Sequence, residues 1–304
     1  VRAVYLLGLE HELASTSEAA RRVAPDGNTY TKLEFEEFFG GLEEWDEAPE
    51  LDSVTSGVRE KDFSKMDEMH NELTSDVTRL VIRIFFHPSC VEEALAIYEK
   101  LFHMRAQAGK ETIDSGWKNS SGSGITTVLN CLVNAFLEML TTVVSLCLTV
   151  QDKDDKATLD AVKSGEYELT VKELRRCMTA VQTDERFKRL TTFGSMMEMA
   201  YKWIGPKFGD DALDPGTPYV SDTRWSVASD YVQKNVGMVT KLGFVSCVLK
   251  QPCEYLSRVY PDPTHTLVSY CKIEKAVDKL RISHTDDVKK YALKLQGYSV
   301  TDIN

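Results

Sequence analysis

Gly209-Asp210-Asp211 lies within WIGPKFGDDAL (residues 203–213), the most informative stretch of the chain. Glycine accepts a positive φ at the tip of a tight turn, and two carboxylates beside it supply hard oxygen ligands for a divalent metal ion. The same triplet also occurs in ordinary surface turns, where aspartate hydrogen-bonds to the local backbone. The rest of the sequence must therefore distinguish a metal-binding turn from a plain one.

A second pair of aspartates lies upstream in DFSKMD (62–67), where a short strand predicted over Val58–Phe63 gives way to a helix. The spacing places Asp62 at the end of the strand and Asp67 in the turn beyond it. One carboxylate can then bind a metal ion while the other faces a neighbouring substrate. Asp67 is also a candidate helix cap.

A small, glycine-rich loop, SGSG (121–124), precedes an apolar segment over residues 125–150 whose only charged residue is Glu138. This segment is long enough to span a membrane. However, four polar residues recur along it at i, i+4 spacing: Thr126, Asn130, Asn134 and Glu138. They predict a buried core helix that presents one polar stripe to a site. The helix start offers unpaired N–H groups to a phosphate, although the loop could equally be a flexible connection ahead of a helix cap.

The remaining secondary structure follows from periodicity and turn residues. Helices are predicted over 5–22, 67–86, 90–108 and 171–181, and another begins at a Ser221 or Asp222 cap and ends at Gly243. Strands are predicted over 244–249 and 254–260, with a turn at Gln251-Pro252 between them. The charged stretch 151–168 and the helix after it indicate an insertion.

The 304 residues carry a net charge of −11, which argues against a general polyanion binder. Nine acids and no Lys or Arg lie between residues 34 and 52, a composition typical of a solvated surface segment. Basic residues recur at helical spacing from Lys272 to Lys294, where the default is a solvated helix face. The seven cysteines contain no Cys-x-x-Cys pair, so we expect reduced intracellular thiols.

In chain order, the three polar motifs resemble the palm motifs of viral RNA-dependent RNA polymerases. Asp62-x4-Asp67 resembles motif A, Ser121-Gly122-x3-Thr126-x3-Asn130 is similar to motif B, and Gly209-Asp210-Asp211 is similar to motif C. The region of KLG (241–243) resembles motif D, and YLSRVY (255–260) resembles motif E. Nodavirus replicases are the most similar group, through IGPKFGDD (204–211), LSRVYPDP (256–263) and LQGY (295–298). The resemblance covers roughly residues 58 to 300.

The resemblance implies an α+β fold, the polymerase right-hand palm, in which helices flank an antiparallel sheet. It divides the chain into three parts. Residues 1–57 are an acidic segment that either belongs to the fingers side or has diverged, residues 58–265 are the palm with an insertion near 151–195, and residues 266–304 are the start of the thumb. The family's basic motif F has no counterpart upstream of Asp62, because residues 23–58 contain Lys32 as their one basic residue. We expect that this part of the fingers either lies outside the chain, which would then be a fragment, or has diverged.

The resemblance also implies template-directed RNA synthesis, by nucleotidyl transfer to an RNA 3′-hydroxyl with two Mg²⁺ ions or Mn²⁺ in their place. Asp62 and Asp210 would be the principal metal ligands, with Asp211 in a supporting role. Selection of the nucleotide and its ribose would fall to five residues: Asp67, Ser121, Gly122, Thr126 and Asn130. Lys241 and Lys250 both compete for the role of the motif D lysine that protonates pyrophosphate. Arg258 would lie near the primer strand, unless it is a plain surface arginine on a hairpin.

The implied partners are the RNA template and product, nucleoside triphosphates and other replicase regions or subunits, with no membrane span in this chain. The implied location is the host cytoplasm, in membrane-associated replication complexes reached through regions outside the chain. Because the metal-binding and ribose-selecting motifs are intact, we expect the whole protein to be an active enzyme. Because motif F is missing, we expect this chain alone to be inactive.

Three other functions stay open. The first is a catalytically inactive, polymerase-like module that serves in assembly or RNA binding. The second is a reverse transcriptase-like polymerase, which would carry a bulky residue in place of Asp67 and Tyr-x-Asp-Asp in place of Phe208-Gly-Asp-Asp. The third is an unrelated acidic Mg²⁺ or Ca²⁺ binder, which does not account for three motifs in order. The polymerase hypothesis predicts that Asp62 and Asp210 lie within metal-bridging reach on adjacent antiparallel strands, with Asn130 facing them.

Overall fold

The structure is a computed structural model that describes residues 1–19, 21–23, 29–31, 35–36, 40–41, 56–102, 104–118, 125–150, 160–161, 164, 170–184, 204–266, 268–272, 288–290, 292–293 and 296. Its elements, in chain order, are α1 (Arg2–Ala19), β1 (Arg21–Val23), β2 (Thr29–Thr31), β3 (Val58–Phe63), α2 (Met66–Met69), α3 (Glu72–Phe85), α4 (Val91–Glu99), β4 (Arg105–Ala108), β5 (Glu111–Asp114), α5 (Thr126–Val150), α6 (Val171–Thr183), β6 (Lys207–Phe208), β7 (Asp211–Pro215), α7 (Asp222–Val236), β8 (Thr240–Val245), β9 (Cys253–Tyr255), β10 (Arg258–Tyr260) and β11 (Tyr270–Cys271).

A four-stranded antiparallel sheet in the order β6-β7-β3-β8 positions the candidate site. The central strand β3 pairs with β7 on one side and β8 on the other, so that Asp62 lies opposite both Asp211 and Lys241. Smaller antiparallel sheets are formed by β9, β10 and β11, by β1 with β2, and by β4 with β5. The described part of the chain therefore has the α+β architecture with antiparallel sheets that the sequence predicts.

The two faces of β3 are buried against different layers, because successive side chains of a strand point to opposite faces. Phe63 packs with α5 and α7 in a core that contains Val133, Leu137 and Val232. On the other face, Val58 packs with Tyr5 of α1 and with residues of β7, β8 and β9. A strand covered on both sides near Val58 and open at Asp62 leaves one end of the sheet accessible to a ligand.

Three buried cations on the helical face of the sheet each have a partner in the described part of the chain, although Arg59 Nε and Nη2 make no hydrogen bond. Lys61 forms an ion pair with Glu138 of α5, and Lys207 forms one with Asp214. The fully buried Arg59 lies 4.0 Å over the ring of Trp225 and donates a hydrogen bond to Thr217 Oγ1 at 2.8 Å. A buried cation is tolerated only when such groups replace its water. The Lys61–Glu138 pair links the sheet to α5, and the Arg59–Trp225 contact links it to α7.

Helix α5 confirms the predicted core helix. It is long and apolar enough to cross a membrane, but 67% of its most apolar window is buried inside the fold. It packs against α6, α7 and β6. Within the described ranges it is the single helix that meets the length and composition of a span, and its burial identifies it as a core helix.

Several element boundaries differ from the prediction. The helix expected over 67–86 is divided into α2 and α3, because Asn71 forms a capping box with Thr74 and starts a new helix. The helix expected over 90–108 ends at Glu99, and the chain then forms the β4-β5 hairpin around Gly109 at φ +67°. Helix α7 has its predicted Ser221 cap but ends at Gly237. That glycine has φ +76°, a left-handed conformation that closes a helix.

The predicted insertion and C-terminal segment fall largely outside the described residues. Helix α6 confirms the helix expected over 171–181 and extends it to Thr183.

Strand β8 begins at Thr240, earlier than the strand predicted from 244, and Gly243 lies inside it. The strand predicted over 254–260 is a hairpin of β9 and β10.

Candidate active site

The triplet Gly209-Asp210-Asp211 forms the turn of the β6-β7 hairpin and the first residue of its second strand. Phe208 pairs with Asp211, so Gly209 and Asp210 make a two-residue turn. Gly209 has φ +66°, and a positive φ at the first of two turn residues matches the twist of the flanking strands. No atom lies within 4 Å of the position that a Cβ would take at Gly209. Backbone conformation, and not lack of space, therefore requires glycine here.

Two carboxylates and one ammonium group form a row across the open end of the sheet. Asp62 is the direct partner of Asp211 on β7 and of Lys241 on β8. Directly opposite residues of antiparallel strands have Cα atoms about 4.5–5.5 Å apart and share a face. Asp62 and Lys241 are exposed and Asp211 is half-buried. Asp210, also exposed, precedes Asp211 in the turn, so three aspartates occupy neighbouring positions.

The chemistry of these aspartates fits Mg²⁺, which prefers carboxylate oxygens and keeps several waters. Asp62 and Asp211 come from adjacent strands, and Asp210 is added by the turn. Across the residues that the structure describes, no three His, Cys, Asp or Glu side chains form a ready-made metal site. The structure shows that β3 and β7 are adjacent strands. That the carboxylates of Asp62 and Asp210 lie close enough to bridge a metal ion stays a prediction.

Two linked hydrogen bonds, one buried and one partly buried, connect Asp67 and His70 to α5. Asn130 Nδ2 donates to Asp67 Oδ1 at 2.8 Å, and His70 Nε2 donates to Asn130 Oδ1 at 2.9 Å. Burial lowers the pKa of His70, which favours the neutral ring that donates through one nitrogen. The hydrogen bond from His70 fixes the orientation of the Asn130 amide, so that the Asn130 N–H points at Asp67. Sequence reasoning missed His70, although its i, i+3 spacing from Asp67 was a usable signal.

Two further α5 side chains contact the backbone of the turn. Cys131 Sγ accepts a hydrogen bond from Gly209 N at 3.1 Å and donates to Lys207 O at 3.5 Å. Asn134 Nδ2 lies 3.3 Å from Gly209 O and 3.4 Å from Asp210 O. Asn134 belonged to the predicted polar stripe but was given no role, and Cys131 was missed. The i, i+4 spacing from Asn130 was the signal for Asn134, whereas Cys131, the residue next to Asn130, lies on a different face and had no such signal.

The two candidate lysines lie in different places. Lys241 is beside Asp62 in the sheet. Lys250 follows β8 at its other end, in a turn closed by a hydrogen bond from Lys250 N to Cys247 O at 3.1 Å. Strand β8 spans about 13 Å between Lys241 and Val245 at 3.3 Å per residue, so Lys250 lies at the opposite end of the strand from the aspartates.

The other predicted residues have mixed positions. Thr126 is buried at the start of α5, four residues before Asn130. Ser121 and Gly122 lie outside the described residues. Arg258 donates from Nε to Ser269 Oγ at 2.7 Å and from Nη2 to Ser269 O at 2.5 Å, so it braces β10 against the segment before β11. Two of its five donors are thereby used inside the protein.

Tyr255, in the region that resembles motif E, lies near the aspartates. Burial raises the pKa of its hydroxyl, and the negative charge of Asp211 adds to the effect. Strand β9 packs against β3 and β7, the two strands that carry Asp62 and Asp211.

No family model matches the chain, and a search of curated proteins finds no significant match.

Proposed function

We propose that this chain is the palm-centred part of a viral RNA-dependent RNA polymerase, similar to the replicases of positive-strand RNA viruses such as nodaviruses. The observation that carries the proposal is the Asp62–Asp211 pair on adjacent strands, next to the Gly209-Asp210 turn. An acidic surface turn alone would not require a second carboxylate strand in register beside it. The ordered sequence motifs supply the second line of support.

In this proposal, Asp62, Asp210 and Asp211 hold two Mg²⁺ ions. Bound there, Mg²⁺ would supply Lewis-acid stabilisation of the attacking and leaving oxygens of nucleotidyl transfer. The chain itself supplies carboxylates from β3, from β7 and from the turn before β7, at the end of the sheet that the flanking layers leave open. Lys241 is the better placed of the two lysines to give a proton to the leaving group, because it lies beside Asp62 on the same face.

The Asp67–Asn130 hydrogen bond favours RNA synthesis over DNA synthesis. The bond fixes two polar side chains next to the aspartate end of β3, where they can read the 2′-hydroxyl of a ribonucleotide. A bulky apolar residue in place of Asp67 would exclude that hydroxyl instead. In this proposal Ser121, Gly122 and Thr126 also contribute to nucleotide selection.

A second candidate, a polymerase-like module without activity of its own, is favoured by the charge distribution. The net charge is −11, and residues 23–58 contain a single Lys and no Arg. Gripping a nucleoside triphosphate requires basic side chains that this region does not supply. Activity is therefore best tested in the full-length parent protein.

The test is template-dependent nucleotide incorporation by the full-length protein in Mg²⁺, comparing wild type with Asp210→Ala and Asp62→Asn. Loss of a metal ligand removes several kcal/mol of transition-state stabilisation, so we expect about a 10³-fold lower rate. Asp230→Asn is the matched control, because Asp230 is an exposed aspartate on α7. Equal rates in wild type and Asp210→Ala would reject the mechanism.

A further inference from the structure

The turn that carries Asp210 is held by α5 through its backbone. Gly209 donates its N–H to Cys131 Sγ at 3.1 Å, while its carbonyl lies 3.3 Å from Asn134 Nδ2. The same Nδ2 lies 3.4 Å from the carbonyl oxygen of Asp210. Gly209 is buried and Asn134 is fully buried. Backbone groups in such a place need partners, and these two side chains supply them.

Asn134 belongs to a row of three polar side chains on one face of α5. Asn130, Asn134 and Glu138 follow one another at i, i+4 spacing, a rise of about 6 Å per step. Each binds a different part of the candidate site: Asn130 binds Asp67, Asn134 binds the turn, and Glu138 binds Lys61, the residue before Asp62. A single rigid helix thus fixes the turn relative to the strand that carries Asp62.

We propose that Asn134 and Cys131 are positioning residues that set the Gly209-Asp210 turn against Asp62. This inference rests on the proposed function for its catalytic meaning, while the contacts themselves do not depend on it. Both side chains contact the backbone of the turn. Their effect passes through the backbone of the turn, and outer groups of this kind commonly change metal affinity about 10- to 100-fold.

Hydrogen exchange measured by mass spectrometry tests the contact in the full chain. In Asn134→Ala and Cys131→Ala we expect faster exchange in the peptide covering residues 204–213. Cys131→Ser keeps a donor and an acceptor at the same place and should restore slow exchange. Ser145→Ala is the matched control, since Ser145 is equally buried on α5 but bonds to Thr142 O within its own helix.

Mn²⁺ titration followed by electron paramagnetic resonance tests the consequence. We expect Asn134→Ala to bind Mn²⁺ about 10-fold more weakly than wild type, and Ser145→Ala to bind it as wild type does. Unchanged exchange and unchanged Mn²⁺ affinity in Asn134→Ala would overturn the inference. Wild-type Mn²⁺ affinity in Asp210→Asn would instead contradict the metal assignment of the proposed function, and the exchange data would still decide the positioning role.

Discussion

Asp62 has a like charge on one neighbouring strand and an opposite charge on the other. Carboxylates placed directly opposite in a sheet repel each other, which costs a few tenths of a kcal/mol or more. Lys241, opposite Asp62 on β8, offsets part of that repulsion. Facing carboxylates at the open end of the sheet destabilise the fold, and a bound cation would relieve their repulsion. The residue pattern thus favours a ligand site over a structural one.

Replacement of the two lysines distinguishes their roles. Lys241→Gln removes the ammonium group beside Asp62, and we expect the single-turnover incorporation rate of the full-length protein to fall by about 10²-fold, as for loss of a general acid. Lys250→Gln changes a residue at the far end of β8 and should leave the rate unchanged. A larger effect at Lys250 than at Lys241 would reject the assignment.

Lys61 and Glu138 form a buried ion pair between β3 and α5. Burial lowers the pKa of Lys61, because the ammonium group has lost its water. Removal of either partner leaves a buried charge without its ion-pair partner. The pair therefore ties the strand of Asp62 to the helix of Asn130 and Asn134 in a way that depends on both members.

A double-mutant cycle tests this coupling. We expect Glu138→Leu and Lys61→Met each to lower the free energy of unfolding by about 3–5 kcal/mol. The double variant should lose much less than the sum, because an apolar pair of similar volume can replace a buried ion pair. Urea unfolding measures all four proteins, and additive losses would show that the two side chains do not act as a pair.

At the scale of the element, the parts of the fold set by local pattern were predictable. Strand β3 has its predicted bounds, and the i, i+4 polar residues of α5 identified a buried helix. The hairpin at 105–114 was missed because its residues fit a helix continuing to Gly109. Likewise, Gly243 was read as a helix stop, whereas pairing with β3 places it inside a strand. Nonlocal contacts decided these regions.

The candidate site was predictable where motif spacing encodes it and not where packing does. Asp62, Asp67, Asn130 and Asp210 were chosen from sequence, and the structure brings Asp67 into contact with Asn130. His70 and Cys131 act through buried contacts with a helix or turn far along the chain. A single sequence carries no record of such contacts beyond helical spacing.

Helix α3 buries its polar face and exposes its apolar face. Thr74, Ser75 and Thr78 are buried, whereas Leu80 and Ile84 are 58% and 66% exposed. Tyr98 of α4 donates to Ser75 Oγ at 3.2 Å, so part of the polar face is used in packing. Amphipathic surface helices normally have the opposite orientation.

A charged residue should therefore be tolerated on the apolar face of α3 and should destabilise the protein on its polar face, the reverse of the usual amphipathic helix. We expect Leu80→Lys and Ile84→Lys to change the free energy of unfolding by no more than about 0.5 kcal/mol and to reduce binding of a hydrophobic dye. Thr78→Lys would bury an amine without a partner and should cost about 2 kcal/mol or more. Strong destabilisation by Ile84→Lys would mean that this face is covered in solution.

At the scale of the whole molecule, the fold leaves the aspartates at the open end of a sheet whose other regions are covered. Helices α5 and α7 lie on one face, and α1 with the β9-β10 hairpin lies on the other. The carboxylates at that end add to a chain that is already acidic. With a net charge of −11, the negative charges spread over the whole molecule repel one another and destabilise the compact state.

The charge predicts how stability depends on salt. Exposed charges are screened beyond about 10 Å at 0.1 M ionic strength, whereas the buried pairs Lys61–Glu138 and Lys207–Asp214 are screened much less. Raising NaCl from about 0.05 to 0.5 M should therefore relieve repulsion more than it weakens attraction, and we expect Tm to rise by about 2 °C. A variant in which Glu43, Glu44, Glu47 and Glu50 are all glutamine has four fewer negative charges and should show a smaller rise. A Tm that falls with NaCl would show that exposed ion pairs such as Arg79–Glu99 outweigh the net repulsion.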